Sequence, residues 1–256
     1  MLKAINKIIT EFLPNTPFGI TSVEDIEKPD CTRLDKNGLN SAIMFVFPYK
    51  VTEEPPKNLS RYSAVDDYHN IILPKLNAIC QELKKVFLKN TFTAYCDYSP
   101  ILEVKAASKA GLGVIGKNGL LITKEYGSFV FIGEILCDLD FKNNITNLTA
   151  FCLDCGACIN ACPVELNKEN CLSALTQKKG ELTVKEAKSI KNATLFGCDI
   201  CQNVCPMNKK AKNTYINEFL ESYRDEYKPD EDSKNRPYSW RPRAVIDRNY
   251  KIFEEK

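Results

Sequence analysis

Cys152-Leu-Asp-Cys155-Gly-Ala-Cys158-Ile-Asn-Ala-Cys162-Pro163 is followed by an isolated Cys171 and then by Cys198-Asp-Ile-Cys201-Gln-Asn-Val-Cys205-Pro206. The first run has the bacterial C-x2-C-x2-C-x3-C-P spacing, in which the fourth cysteine ligates the other cluster when two are present. Cys152, Cys155 and Cys158 therefore lack one thiolate, which Cys205, the Cys-Pro of the second run, supplies. Cys162 joins Cys198 and Cys201, and Cys171 completes that group. The count predicts two 4Fe-4S clusters on a ferredoxin-like segment.

Other uses of cysteine fit this stretch less well. A zinc site usually stops at four ligands arranged as two pairs, whereas here three cysteines fall at two-residue gaps and both runs end in Cys-Pro. Disulfides need an oxidising compartment, and the amino terminus does not suggest export. A thioredoxin-type redox site uses one CxxC pair near a βαβ pattern. Cys31, Cys80, Cys96 and Cys137 lie outside the spacing and read as small buried hydrophobes.

Working outward, the 256 residues are 44% hydrophobic, enough for a sizeable core. Thirty-five basic against thirty-three acidic residues give a net charge of +2, so no global field draws the chain to nucleic acid or membrane. Residues 1 to 14 carry an apolar helical face interrupted by Lys3, Lys7 and Glu11, unlike the unbroken core of a signal peptide. The longest apolar run, Ala42 to Pro48, is too short to span a bilayer. The expectation is a soluble, cytoplasmic protein without a membrane partner.

Along the chain, residues 14 to 40 are polar and turn-rich. Ala42-Ile-Met-Phe-Val-Phe47 reads as a strand buried on both faces. Apolar residues at spacings of three and four predict a helix between Asp66 and Lys89, kinked at Pro74 or beginning there. Thr91 to Cys96 reads as a strand ending at Asp97. Ser99-Pro100 with Glu103 marks a helix start, and Gly111 stops that helix. Gly119 to Thr123 and Ser128 to Leu136 read as strands joined across Tyr126-Gly127. A helix is expected near Thr214 to Tyr227, then a charged linker and a tail.

Gly111-Leu-Gly113-Val-Ile-Gly116 matches the dinucleotide fingerprint by letter. That motif must follow a strand and open a helix so that pyrophosphate meets the helix amino terminus. Here a helix precedes and a strand follows, which excludes nicotinamide-nucleotide binding. Locally the glycines read as a helix cap and a tight turn.

Beyond the cysteine spacing stand Arg61-Tyr62, Asp67-Tyr68-His69, Asp97-Tyr-Ser-Pro100-Ile-Leu-Glu103 and Ala110-Gly-Leu-Gly-Val-Ile-Gly-Lys-Asn118. They continue with Leu120-Leu-Ile122, Gly127-Ser-Phe129, Gly133-Glu134, Cys171-Leu-Ser-Ala-Leu-Thr176 and Gly197-Cys198-Asp-Ile-Cys201-Gln202. Taken together, these stretches resemble the iron-sulfur, cobalamin-dependent epoxyqueuosine reductases of tRNA modification. The resemblance implies an α+β protein: a mixed α/β cobalamin-type catalytic domain over 1–148, a ferredoxin-like double 4Fe-4S domain over 149–208, and a helical and charged tail over 209–256. It implies that the clusters pass electrons singly to cobalt and that an epoxide on a tRNA nucleoside is reduced to the alkene. Asp97 corresponds to the family's general acid, a role that needs a carboxyl raised by burial or a neighbouring negative charge; read alone, Asp97 caps the turn before Ser99-Pro100. Gly113, Gly116, Lys117 and Asn118 would approach the corrin, with Leu121 and Ile132 on its apolar wall or in plain core. His69, the single histidine, reads as a hydrogen-bonded structural residue rather than a cobalt ligand.

The pattern is that of a short form lacking the family's C-terminal helical-repeat domain, with a dissimilar segment before Ala42. The implied partners are tRNA and an external electron donor such as a flavodoxin or ferredoxin. Lys178, Lys179, Lys185, Lys188 and Lys191, followed by Lys209, Lys210 and Lys212, either meet phosphates or form a solvated face. Arg241 and Arg243 beside Trp240 either stack on a base or pin the tail. Two other readings stay open: a ferredoxin-like electron-transfer protein, and a corrinoid-linked reductase of a small molecule.

Overall fold

A computed structural model of the chain describes residues 1–27, 38–141, 152–167, 169–191 and 193–254. The chain forms two compact units, each assembled from three stretches: 1–47, 69–124 and 130–152 in the first, and 48–68, 125–129 and 153–256 in the second.

In the first unit, α1 (Leu2–Phe12) turns Ile5 and Ile9 inward, following its three-and-four spacing. β1 (Phe18–Ser22) then forms where the sequence reads as featureless turn. It is short, it contains Gly19, and its side chains are mostly half-buried, so little strand signal reaches the sequence. β2 (Ser41–Pro48) is buried at every position, as its unbroken apolar run requires. α2 (Tyr68–Val86) neither begins at Pro74 nor stops there but includes it. Its buried residues are Ile72, Leu76, Ile79, Cys80 and Leu83.

β3 (Phe92–Tyr95) follows, and α3 (Glu103–Lys109) starts three residues after Pro100. The delay has a local cause: the Ser99 hydroxyl is hydrogen bonded to Glu134 and accepts the Ile101 N–H, so it does not cap the helix. β4 (Val114–Ile115) and β5 (Leu121–Ile122) make a small hairpin of their own. β6 (Val130–Cys137) instead enters the main sheet, whose order is β1-β2-β6-β3. The strands expected on either side of Tyr126-Gly127 thus belong to different sheets. In the antiparallel β3–β6 pair, Tyr95 lies opposite Glu134.

Both faces of the sheet are covered. Ala42, Met44 and Val46 of β2 and Leu136 of β6 share a core with Ala106, Ala107 and Ala110 around α3. On the other side α2 lies so close that a Cβ on Gly133 would come within 2.9 Å of Ile72 and Leu76 and 3.0 Å of Phe47.

The second unit contains α4 (Ala157–Ala161), α5 (Leu172–Gln177), α6 (Val184–Ile190), α7 (Ile200–Asn203), α8 (Asn217–Ser222) and α9 (Arg243–Glu254). Thr183 and Glu186 form a reciprocal capping box on α6. The helix expected over 214–227 reduces to α8. α9, unread in the sequence because its pattern is broken by charges, packs on α5 and α6. Leu59, Ala64, Leu195, Phe196, Tyr227, Tyr238 and Ile246 form one cluster of this unit's core. Asn249, 1% exposed, donates to the carbonyls of Thr176 and Leu195 at 2.7 Å each. Among the described residues no helix is long and apolar enough to cross a membrane. Cys80, Cys96 and Cys137 are buried thiols, whereas Cys31 lies outside the described residues.

Candidate redox and proton-donor sites

The two cysteine runs sit on short helices joined to tight turns. Gly156, at φ 72°, precedes α4 in a left-handed conformation, and α4 packs against α7. This brings the segment of Cys155, Cys158 and Cys162 to that of Cys198, Cys201 and Cys205. None of the eight cysteines of the spacing, Cys152 and Cys171 included, is in a disulfide among the described residues, and none is fully buried. Cys162 and Cys171 lie near enough to Cys198 to oppose its ionisation; burial first, and these neighbours and Asp199 in addition, push that thiol up to about 11. Among the described residues no three His, Cys, Asp or Glu side chains converge as ligands of a single ion would. Cys162, Cys171 and Cys198, close enough to affect one another's ionisation, are thiolate donors of the kind that hold a cubane.

The second run is fixed from within its own unit by a buried polar network. The Arg61 N–H donates to Asp199 Oδ2 at 2.6 Å, and Gln202 Nε2 donates to Asp199 Oδ1 at 3.1 Å. Gln202 Oε1 accepts from Tyr49 at 3.3 Å and from Ser128 at 2.9 Å. Asn208 in turn donates to Ser128 and to the Gln202 carbonyl and accepts the Ser128 N–H. Burial raises Asp199 to about 6 against the pull of the Arg61 N–H and charge. It also moves the Tyr49 phenol far above its ordinary range. The Arg61 guanidinium donates to the carbonyls of Thr52, Glu53 and Glu54 and lies 5.2 Å from the Phe129 ring centroid. Gln202 and Asp199 carry this function through hydrogen bonding, which cysteine spacing does not reveal.

In the first unit, Asp97 follows β3 and sits with Tyr98 in the left-handed region, at φ 54° and 48°. Its side chain is 56% exposed, and Oδ2 is 3.7 Å from His69 Nε2. The burial that a raised carboxyl requires falls on two neighbours instead. Glu103 is pushed up to about 9, by burial first and then by the negative charges of Glu134 and Asp97, while the Asp97 N–H pulls it down. Glu134, wholly buried, is raised to about 8 by burial, with the Ser99 hydroxyl opposing. Glu103 Oε1 and Glu134 Oε2 have no hydrogen-bond partner among the described residues. Sequence motifs contain both glutamates but do not tell that they are buried.

The expected corrin contacts separate into two groups. A Cβ on Gly113 would collide with the Ile122 carbonyl, and one on Gly116 would come within 2.7 Å of Asn118 Oδ1. Gly113 is therefore required by closure of the β4–β5 hairpin, whereas at Gly116 the obstacles are the ends of the Asn118 and Ile122 side chains. The Gly116 N–H is bonded to the Leu120 carbonyl, and Asn118 Oδ1 accepts the Leu120 N–H. Leu121 is core and Ile132 half-buried against it. Lys117 and Ile115 are exposed.

On the second unit's surface, Lys179, Lys185 and Lys188 are exposed. Lys178 is paired with Glu186 at 2.7 Å, and Lys212 with Glu125 at 2.8 Å. The Arg241 guanidinium lies 3.6 Å from the Trp240 ring centroid, and Trp240 is 58% exposed. Arg243 bonds to Asp247 and to the Pro229 carbonyl, holding the start of α9.

Two family models match the chain. One, described as epoxyqueuosine reductase QueG, DUF1730, covers residues 34–97, and the other, a 4Fe-4S double cluster binding domain, covers 151–208. An epoxyqueuosine reductase of Lactococcus garvieae is 34% identical over 234 residues, 81% of this chain and 66% of that protein. The chain thus spans about two thirds of the length of that curated relative and less of others. The fold is shared with the Streptococcus thermophilus epoxyqueuosine reductase, at TM-score 0.80 and 24% identity over 99% of this chain and 80% of that one. It is shared as well with an epoxyqueuosine reductase solved with an epoxyqueuosine-modified tRNA-Tyr stem loop, at TM-score 0.82 and 23% identity over 98% and 81%. The front motifs, the double-cluster segment and the shared fold together place the chain in the epoxyqueuosine reductase family.

Proposed function

We propose that this chain converts epoxyqueuosine to queuosine in tRNA. The reading is carried by the family assignment, and the packing of α4 on α7, which gathers the two Cys-Pro runs, supports it. The reaction consumes two electrons and two protons and releases the epoxide oxygen as water, leaving an alkene. Cys152, Cys155, Cys158 and Cys205 hold one 4Fe-4S cluster, and Cys162, Cys171, Cys198 and Cys201 the other. An external one-electron donor such as a flavodoxin or ferredoxin refills them.

Cobalamin, when bound, supplies a reducible cobalt centre that drives carbon–oxygen cleavage. The exposed face of the β4–β5 hairpin, with Lys117 and the adjoining Asn118, holds its polar periphery; Gly113 and Gly116 shape that hairpin, and Leu121 and Ile132 back it. Asp97 donates a proton to the departing oxygen from a turn that presents its carboxyl to solvent, within 3.7 Å of His69. Lys179, Lys185 and Lys188 meet tRNA phosphates, whose attraction is long-ranged and salt-sensitive. The relative solved with a modified tRNA stem loop supports a tRNA-borne substrate. In this reading residues 1–148 carry the chemistry, 149–208 the clusters, and 209–256 the supporting tail.

The test is anaerobic turnover of an epoxyqueuosine-containing stem loop by the reconstituted chain, with queuosine measured by mass spectrometry. Asp97→Asn is expected to abolish turnover while iron content and the cobalt absorption bands on cobalamin titration stay as in the unmutated chain. Wild-type turnover by the Asn variant removes Asp97 from the mechanism. Cobalt bands that do not respond to the protein remove cobalamin.

A further inference from the structure

Two carboxyls lie buried under the turn that carries Asp97, and the proposed reaction uses neither. Glu103 opens α3, and its carboxyl accepts the Asp97 N–H. Glu134 stands at the middle of β6, fully buried, with the Ser99 hydroxyl on its Oε1. The loop from Asp97 to Ser99 is thus tied at both ends to a buried acid. It needs tying, because consecutive left-handed residues other than glycine cost roughly 1–3 kcal/mol each and persist only where their surroundings over-determine them.

The charge state of the two ties follows from their surroundings. Among the described residues neither carboxyl has a cationic partner; Lys105 and Lys109 of α3 turn instead to Glu27 and Asp25. The groups facing Glu103 are Glu134 and Asp97, and those facing Glu134 are Ser99, Glu103 and Tyr95 across the sheet. A buried carboxylate surrounded by acids and hydroxyls, without a cation, is strongly disfavoured against its neutral form. Each glutamate also keeps one oxygen without a partner, a loss borne more easily by a neutral acid than by a charge.

We propose that Glu103 and Glu134 are positioning residues, acting as neutral carboxyls that clamp the two ends of the Asp97 turn and so aim the Asp97 side chain. The catalytic consequence rests on the reading of Asp97 as proton donor; the clamping does not. A neutral clamp makes glutamine a working substitute, since its amide carbonyl accepts the same N–H, whereas alanine leaves that N–H and the turn without support.

The experiment compares Glu103→Ala and Glu103→Gln in the full, reconstituted chain, with Glu134→Ala and Glu134→Gln as the second pair. Hydrogen exchange of the Asp97 amide and kcat and KM for the stem loop are read at pH about 7. Glu103→Ala should speed Asp97 exchange roughly tenfold or more and lower kcat about a hundredfold, the cost of a small misplacement, with KM little changed. Glu103→Gln should restore both. A Gln variant as impaired as Ala in exchange and in kcat overturns the proposal, and so does an Ala variant that behaves like the unmutated chain. Should the Ala variants fail to fold, infrared spectra of the unmutated chain decide: a protonated-carboxyl band at neutral pH that disappears on alkaline titration is expected, and its absence at neutral pH overturns the clamp. Turnover by Asp97→Asn would sink the proton-donor reading alone, because the exchange and infrared measurements do not depend on it.

Discussion

Asp97 is presented to solvent by a turn that non-glycine residues rarely adopt, while the acids that carry the local burial are Glu103 and Glu134. From the sequence, Asp97, Ser99 and Glu103 were legible as a strand end, a helix signal and a first-turn acid. Their actual partnership was not, because the burial of a carboxyl depends on β6 crossing behind the loop. Asn249 is a second residue whose importance is invisible locally. It sits in a charged tail, yet its amide satisfies two carbonyls some distance back in the chain. Asn249→Ala should destabilise the chain by about 1–3 kcal/mol, the cost of leaving buried carbonyls unpaired, seen as a lower urea midpoint with an unchanged slope.

At the scale of elements, the strongly periodic or wholly apolar segments were readable: α1, α2 and β2 follow from spacing and from an unbroken apolar run. β1 and α9 were not, since each takes its conformation from a neighbour that its own residues do not announce. β1 pairs with β2, Phe18 opposite Phe45, and α9 is held by α5 and α6. Gly133 shows the same dependence in reverse, its missing side chain being explained by α2 rather than by a turn. Gly133→Val should therefore cost about 1–3 kcal/mol through overpacking against Ile72, Leu76 and Phe47, measured as a lowered thermal midpoint. The double-cluster segment was legible because cysteine spacing alone marks it, whereas the network of Asp199, Gln202 and Asn208 that braces the second run required three-dimensional neighbours.

For the whole molecule, the buried acids set the pH dependence. The folded values of Glu103 and Glu134, about 9 and about 8, exceed the ordinary 4.5, so between those limits the folded chain binds more protons than the unfolded one. Stability is accordingly expected to fall as pH rises from about 4.5 toward 8 and 9, and to level off above. Urea melts at several pH values check the slope, and Glu103→Gln should flatten it. Glu186, held down to about 2 chiefly by its hydrogen bond with Lys178, acts in the opposite sense: its contribution is present above about 4.5 and is lost as pH falls from there through about 2. Loaded anaerobically, the chain should contain about eight iron atoms, two cubanes' worth; an analysis finding about four removes one of the clusters.

The second unit joins Tyr49 to Gln202, Asn58 to Tyr227 and Asn249 to Thr176, with sequence separations of 153, 169 and 73 residues. Such pairings wait on slow closure of long loops. A ribosome that has just released the second cysteine run has not yet delivered α9, so α5, which begins beside Cys171, still lacks the helix it packs against. The packing behind that cysteine is therefore among the late steps of folding.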